Sequence, residues 1–301
     1  MFVLGIDFGG TKIAVGTANP EGELIASDRI ETHAEDGADQ AVKRALALGS
    51  QLVAETRAAG AGECAAAGAV SPGVVQRSRV LLAPNVPGWD RLDLPALLDD
   101  ALGLPVAFAN DVNAAAVAEA RWGALAGIET GLFVSLGTGI KAGIVIGGQV
   151  FTGAHGAAGE IGYSLRDAAD ALGFAAGHAP LEEFVGGRAL GKRAGALLGR
   201  RLSAAEVFTQ PDLSGDFVDE WLAELTMHVA NLAIAVDPER IAVGGGLMAH
   251  AETILPALRV RMAGVVPFPP EVVSARFVND GALRGAVALA LDGAALSEVA
   301  P

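Results

Sequence analysis

The chain has 301 residues, 51% of them hydrophobic, a formal net charge of −14 and a single cysteine, Cys64. That is enough apolar side chain for a sizeable core in one large or two ordinary domains, and it excludes an internal disulfide framework or a cysteine zinc cluster. With no block of Lys and Arg, it also argues against nucleic acid as the main partner.

Met1-Phe2-Val3-Leu4-Gly5-Ile6-Asp7 lacks a basic segment and meets an acid almost at once, so no signal peptide is expected. The run to Asp7, then Phe8-Gly9-Gly10-Thr11-Lys12 and the apolar Ile13 to Thr17, reads as strand, glycine turn, strand. Asn19-Pro20-Glu21-Gly22 is a second turn, and Glu23 to Arg29 a third strand. Ala41 to Ala58 has helical spacing, and Ala66 to Val70 is a strand closed by Ser71-Pro72-Gly73. A strand from Pro105 to Ala109 runs straight into Asn110-Asp111 and an Ala-rich helix reaching Trp122.

The most apolar stretch, Phe133 to Val150, is broken by Lys141 and by glycines. It reads as two strands around Gly137-Thr138-Gly139 rather than a membrane span. The expectation is a soluble, cytoplasmic protein without membrane partners. Further on, Phe217, Trp221, Leu225, Val229 and Val236 share a helical face that ends at Asp237-Pro238. Ile241 to Val243 is a short strand, Gly244-Gly245-Gly246 is expected to open the next helix, and Gly281 to Leu291 is the last helix.

The order strand, Gly-Thr turn, strand occurs twice, near residues 9 and 138, which points to a duplicated α/β fold with a cleft between two lobes. Glycines at such turns let a backbone approach phosphate closely, and Asp7 at a strand end can hold Mg2+ through water. Taken alone, each turn is as well explained by an ordinary hairpin. Asn110-Asp111 is open in the same way: either residue is a helix cap, and the corner between strand and helix is also where a catalytic carboxylate would stand.

Together these segments resemble the ROK family of sugar kinases and sugar-responsive repressors. Leu4 to Lys12 resembles the family's first phosphate motif. Ser71-Pro72-Gly73-Val74-Val75 and Ala83-Pro84-Asn85-Val86-Pro87-Gly88-Trp89 resemble its sugar-side loops, and Phe108 to Ala115 its catalytic segment. Gly156-Ala157-Ala158-Gly159-Glu160-Ile161-Gly162 resembles the family signature, and Asp237 to Gly246 the adenosine-side motif. The resemblance implies a two-lobed, duplicated ribonuclease H-like fold of the actin/hexokinase-type ATPases with a central cleft. Residues 1–118, completed by a C-terminal helix at about 281–301, would form the small lobe, and 119–280 the larger one.

It also implies an ATP-dependent, glucokinase-like sugar kinase acting on a primary hydroxyl such as C6. Asp111 would be the general base, and Asn110, Glu160, Glu182 and Asn85 would contact the sugar. Asp7, Gly9, Gly10, Thr11, Lys12, Gly137, Thr138 and Gly139 would surround the phosphates and Mg2+, and Gly244, Gly245 and Gly246 would border the adenosine. A homodimer is the family expectation. Glucose is the default substrate, with N-acetylmannosamine, N-acetylglucosamine, fructose, allose and a cyclitol as alternatives. A regulator would need a DNA-binding domain ahead of Leu4, and a sugar binder without catalysis would not need Asp111.

The family follows its signature with a zinc-binding His and three Cys. Here Tyr163 follows Gly162 and no Cys lies beyond Cys64, so no structural zinc is expected. Arg166, Asp167, Asp170 and His178 are the polar candidates for holding the loop instead. Tyr163 is expected in the sugar pocket, with packing under the loop as the alternative. Lys141 stands where the family usually has Gly, and is expected to point into solvent. His155 sits just before the signature; His33, His228 and His250 match no motif and read as surface or capping residues.

Overall fold

The computed structural model describes residues 1–299 apart from 77–78, 82–86, 169, 171–172, 211 and 214, with backbone alone at 79 and 296–299. The elements in chain order begin with strands β1 (Phe2–Phe8), β2 (Lys12–Ala18) and β3 (Leu24–Glu31), helix α1 (Ala38–Ala58), and strands β4 (Cys64–Ser71), β5 (Val74–Gln76) and β6 (Arg79–Leu81). Next come α2 (Leu94–Leu102), β7 (Val106–Asn110), α3 (Asp111–Trp122), β8 (Thr130–Leu136), β9 (Ile140–Ile146) and β10 (Gln149–Phe151). Helices α4 (Glu182–Val185), α5 (Gly187–Leu198), α6 (Ala204–Val207) and α7 (Asp216–Val236) follow. The chain closes with β11 (Arg240–Gly244), α8 (Ala251–Val265), β12 (Glu271–Ser274) and α9 (Gly281–Val299).

Contacts divide the chain into two units: Met1–Ala118 with Gly153–Ala157 and Asp280–Pro301, and Glu119–Thr152 with Ala158–Asn279. Each unit has its own five-stranded sheet, in the orders β3-β2-β1-β4-β7 and β10-β9-β8-β11-β12. In both, three strands run as an antiparallel meander and two more join in parallel. The two sheets are therefore the same construction made twice, which is the duplicated α/β architecture of the actin/hexokinase-type ATPases.

In the first unit, β1 is buried along almost its whole length because both faces are covered. Ala41, Val42, Ala45, Leu48 and Leu52 of α1 join Leu4, Ile6, Ile13 and Val15 in the core. Helix α9 packs against β1 and β4, and the approach needs glycine: a Cβ on Gly68 would lie 1.9 Å from the Ala286 carbonyl oxygen. In the second unit, α7 buries Trp221, Leu225, Val229 and Ala233 in a core with Leu132, Val134, Ile241 and Val243. Asp237 ends α7 in the left-handed region at φ 56, its N–H donating to Ala233 O at 2.8 Å.

Two local expectations are corrected. Gly244 to Gly246 does not open an α-helix: Gly246–His250 is a 3-10 turn and α8 begins at Ala251, with Gly245 at φ 94 outside the helical region. The last helix continues past Leu291 to Val299.

Candidate active site

In the first unit the strand-to-helix corner explains the Asn110-Asp111 pair. Asn110, 2% exposed, caps α3: its Oδ1 accepts from the N–H groups of Val112 at 2.9 Å and Asn113 at 3.1 Å. Its Nδ2 donates to Gly73 O at 2.6 Å, which pins the Ser71-Pro72-Gly73 turn. An amide has two N–H donors, so one is engaged here. Asp111 opens the helix and accepts from Val112 N–H at 2.8 Å. The cap is thus supplied by Asn110, and the helix does not need the Asp111 carboxylate for it.

Ser71 pairs with Asn110 in the β4–β7 register and accepts from Trp89 Nε1 at 3.0 Å, while the Trp89 ring meets Phe8 edge-on at 5.3 Å. The Ser71-Pro72-Gly73 turn, Trp89 and the Asn110-Asp111 corner therefore come together. Asn85 lies outside the described residues.

Asp7 stands near the end of β1. Its carboxyl is pushed up from 3.8 to about 7, first by burial, then by the nearby Asp111, with Arg29 pulling the other way. A buried carboxyl held toward its neutral form by a second carboxyl is a donor set that a divalent cation would relieve, so the residues fit Mg2+. Among the described residues no group of three or more His, Cys, Asp or Glu could hold a metal by itself, so any Mg2+ here takes its remaining ligands from water and phosphate. Gly9 and Gly10 form the β1–β2 turn, where Gly9 O accepts from Thr32 Oγ1 at 2.7 Å and Thr11 O from Thr32 N–H at 2.8 Å. Lys12 is exposed and lies 3.7 Å from Glu31.

In the second unit, Gly137-Thr138-Gly139 rests on the start of α5. Gly187 N–H donates to Gly137 O at 2.9 Å and Arg188 N–H to Thr138 O at 3.0 Å. The reason for glycine at 139 lies far along the chain, since a Cβ there would stand 1.8 Å from Glu182 Oε2. Glu182 opens α4, and its Oε2 accepts from Ile140 N–H at 3.3 Å. Its carboxyl is held above the ordinary range, chiefly by partial burial and also by Glu160, against Ile140 N–H and Arg188. Glu160 follows Gly159, which at φ 84 packs so closely that a Cβ would reach the Ala142 carbonyl oxygen at 1.8 Å. Tyr163 meets Phe174 edge-on at 5.6 Å, and burial, then Glu160 and Glu182, raise its phenol. Glu160, Tyr163, Glu182 and Gly139 thus form one group. At β11, a Cβ on Gly244 would strike the Phe133 ring and one on Gly245 would strike Leu136 O, whereas Gly246 faces open space.

Lys141 contradicts the expectation of a solvent position: it is 8% exposed and ion-paired with Glu160. Burial of an ammonium is tolerated because a carboxylate meets it. Of the histidines read as surface or capping residues, His228 and His250 are only slightly exposed, and His250 stands at the N-cap of α8. Their side chains are 9% and 15% exposed, one 3.4 Å from Glu224, the other stacked on Phe208 at 4.5 Å.

The loop after Tyr163 is held by polar and cation–π contacts. Arg166 N–H and Nε reach Asp170 and Glu224, and the guanidinium groups of Arg166 and Arg193 lie 3.6 and 3.5 Å from the Phe184 ring. His178 lies 3.1 Å from Glu183. Glu119 was not singled out from sequence. It is fully buried, and accepts from the N–H groups of Ala124, Arg276 and Phe277 at 2.6, 3.2 and 2.7 Å. An acid that follows the apolar run Ala114 to Ala118 within the helix is the signal that would have found it.

The model of the ROK family matches residues 3–293. A glucokinase of Streptomyces coelicolor is 31% identical, covering 95% of this chain and 96% of its own. A β-glucoside kinase of Listeria innocua is 29% identical over 95% and 96% of the two chains. The crystal structure of a ROK family glucokinase from Streptomyces griseus in complex with glucose and AMPPNP is 28% identical, with a TM-score of 0.78 over 97% of this chain and all of that one.

Proposed function

The chain belongs to the ROK family, and on that premise we propose that it is an ATP-dependent kinase of a hexose, glucose by default, with Asp111 as the base. The observation that carries the assignment is the β7–α3 corner: Asn110 caps the helix, and the Asp111 carboxylate stands at the first residue of α3, where it acts on the Asp7 carboxyl. Asp111 takes the proton of a sugar hydroxyl, the C6 hydroxyl on this reading, as that oxygen bonds to the γ-phosphorus and ADP leaves. A positioned carboxylate base typically contributes about 10²- to 10⁴-fold in rate.

Asn110, Glu160 and Glu182 bind sugar hydroxyls, since carboxylates and amides accept or donate paired hydrogen bonds; Asn85 and Tyr163 are further contacts. Gly9, Gly10, Thr11, Lys12, Gly137, Thr138 and Gly139 take the phosphates, and Gly244 to Gly246 the adenosine. Asp7 would hold Mg2+, through water on this reading, and the bound ion would supply neutralisation of phosphate charge. The similarity to a β-glucoside kinase as well as to glucokinases keeps other sugars in the substrate class. Cytoplasmic location follows from the need for ATP; no helix among the described residues is long and apolar enough to cross a membrane.

The test is Asp111→Asn in a coupled ADP-release assay over a panel of sugars. Turnover should fall at least about 10²-fold while sugar affinity changes little. Near-normal turnover in a folded variant would sink the assignment.

A further inference from the structure

Two consecutive residues of β9 hold the two glutamates of the second unit. Ile140 N–H donates to Glu182 Oε2 at 3.3 Å, and Lys141 sets its ammonium against Glu160 Oε1. The ion pair is confined, its side chains 11% and 19% exposed. Its backbone is confined as well. Ala142, next to Lys141, donates its N–H to the carbonyl of Gly159, next to Glu160, at 2.9 Å, and Gly159 has no room for a Cβ against Ala142. The backbones that carry Lys141 and Glu160 are therefore held side by side, and the pair meets in a confined space.

An ammonium on one oxygen stops the carboxylate from turning. It also offsets the repulsion between Glu160 and Glu182, whose charges act on one another and on the Tyr163 phenol. Among the described residues the bond to Glu160 falls on Oε1, so the pair presents one acceptor, Oε2, in one place.

We propose that Lys141 is a positioning residue for substrate choice: it fixes Glu160 so that a single carboxylate oxygen meets the sugar hydroxyl. The proposal rests on the reading of Glu160 as a sugar ligand. A fixed acceptor discriminates between epimers because a misplaced hydroxyl leaves it unpaired, whereas a carboxylate free to turn follows the hydroxyl.

The experiment is a double-mutant cycle with Lys141→Met, Glu160→Gln and both together, plus Lys141→Arg. KM and kcat are measured at saturating MgATP for glucose, mannose and N-acetylglucosamine, with circular dichroism as the control for folding. Lys141→Met should raise KM for the best of these sugars roughly 10-fold or more, as expected for loss of a charge-assisted partner, with kcat within about threefold. Differences among the sugars should narrow, and Lys141→Arg should restore most of them. In the Glu160→Gln background, Lys141→Met should change KM less than about twofold, because the residue acts through Glu160.

The proposal is overturned if Glu160→Gln raises KM while Lys141→Met leaves all three sugars unchanged. It is overturned too if Lys141→Met acts equally in both backgrounds. Unchanged KM in Glu160→Gln overturns instead the reading of Glu160 as a sugar ligand, and this proposal with it. If Lys141→Met does not fold, the double variant, which buries no unpaired carboxylate, is compared with Glu160→Gln, and a KM difference above about twofold refutes the proposal.

Discussion

Asp7 is a site where function and stability should oppose each other. Its carboxyl is pushed from 3.8 to about 7, by burial first and by Asp111 second. Between those values the folded chain holds a proton that the unfolded chain has released. Stability therefore falls as pH rises through the window from about 4 to about 7, and the loss is complete above it. Each pH unit is worth about 1.4 kcal/mol, so the full shift corresponds to about 4 kcal/mol. Asp7 keeps some contact with solvent, which screens the charge, and about 2 kcal/mol is the expected penalty at pH 8.

Asp7→Asn keeps the shape and removes the charge. In metal-free buffer at pH 8 the variant should melt several degrees above the parent, at about 2–4 °C per kcal/mol for a chain of this order. At pH 4 the two should melt together. Mg2+-dependent turnover in the same variant should drop by about 10²-fold or more, since a neutral amide lacks the charge that holds a hydrated cation. Melting curves at pH 4, 6 and 8 with EDTA, beside the ADP-release assay, decide the matter. A variant no more stable than its parent at pH 8, or equally stabilised at every pH, would refute the reasoning.

Glu119→Ala should destabilise the protein by about 3 kcal/mol or more, because three backbone donors would lose a buried acceptor, each at about 1–3 kcal/mol; urea unfolding checks this, and a loss under about 1 kcal/mol would show that water replaces the carboxylate. The purified protein should carry well under one zinc per chain, since Arg166, Asp170, Glu224 and Phe184 already hold the loop after Tyr163. Elemental analysis that finds a stoichiometric, chelation-resistant metal would contradict that account.

The sequence by itself determined what depends on neighbours along the chain. Strands β1, β2, β4, β7, β8 and β9 were legible from apolar runs between glycine turns, and α1, α3 and α7 from helical spacing, to within a few residues. The duplication was legible for the same reason, since a hairpin with a Gly-Thr turn is a local signal and occurs at both places where the two sheets begin. The motif order carried the family.

Tertiary structure alone decided which of two locally equal readings held. Asn110 and Asp111 are both good caps, and only the bonds to Val112, Asn113 and Gly73 show that Asn110 takes that work. Lys141 looks like a surface lysine because its partner is 19 residues away, on a loop that the Ala142–Gly159 hydrogen bond holds alongside β9. Gly139 reads as a turn glycine, yet the space it leaves is filled by Glu182 from the start of α4. Burial of a charged or capping group depends on what stands opposite it in the fold, and that is set by sheet register and helix packing rather than by spacing along the chain.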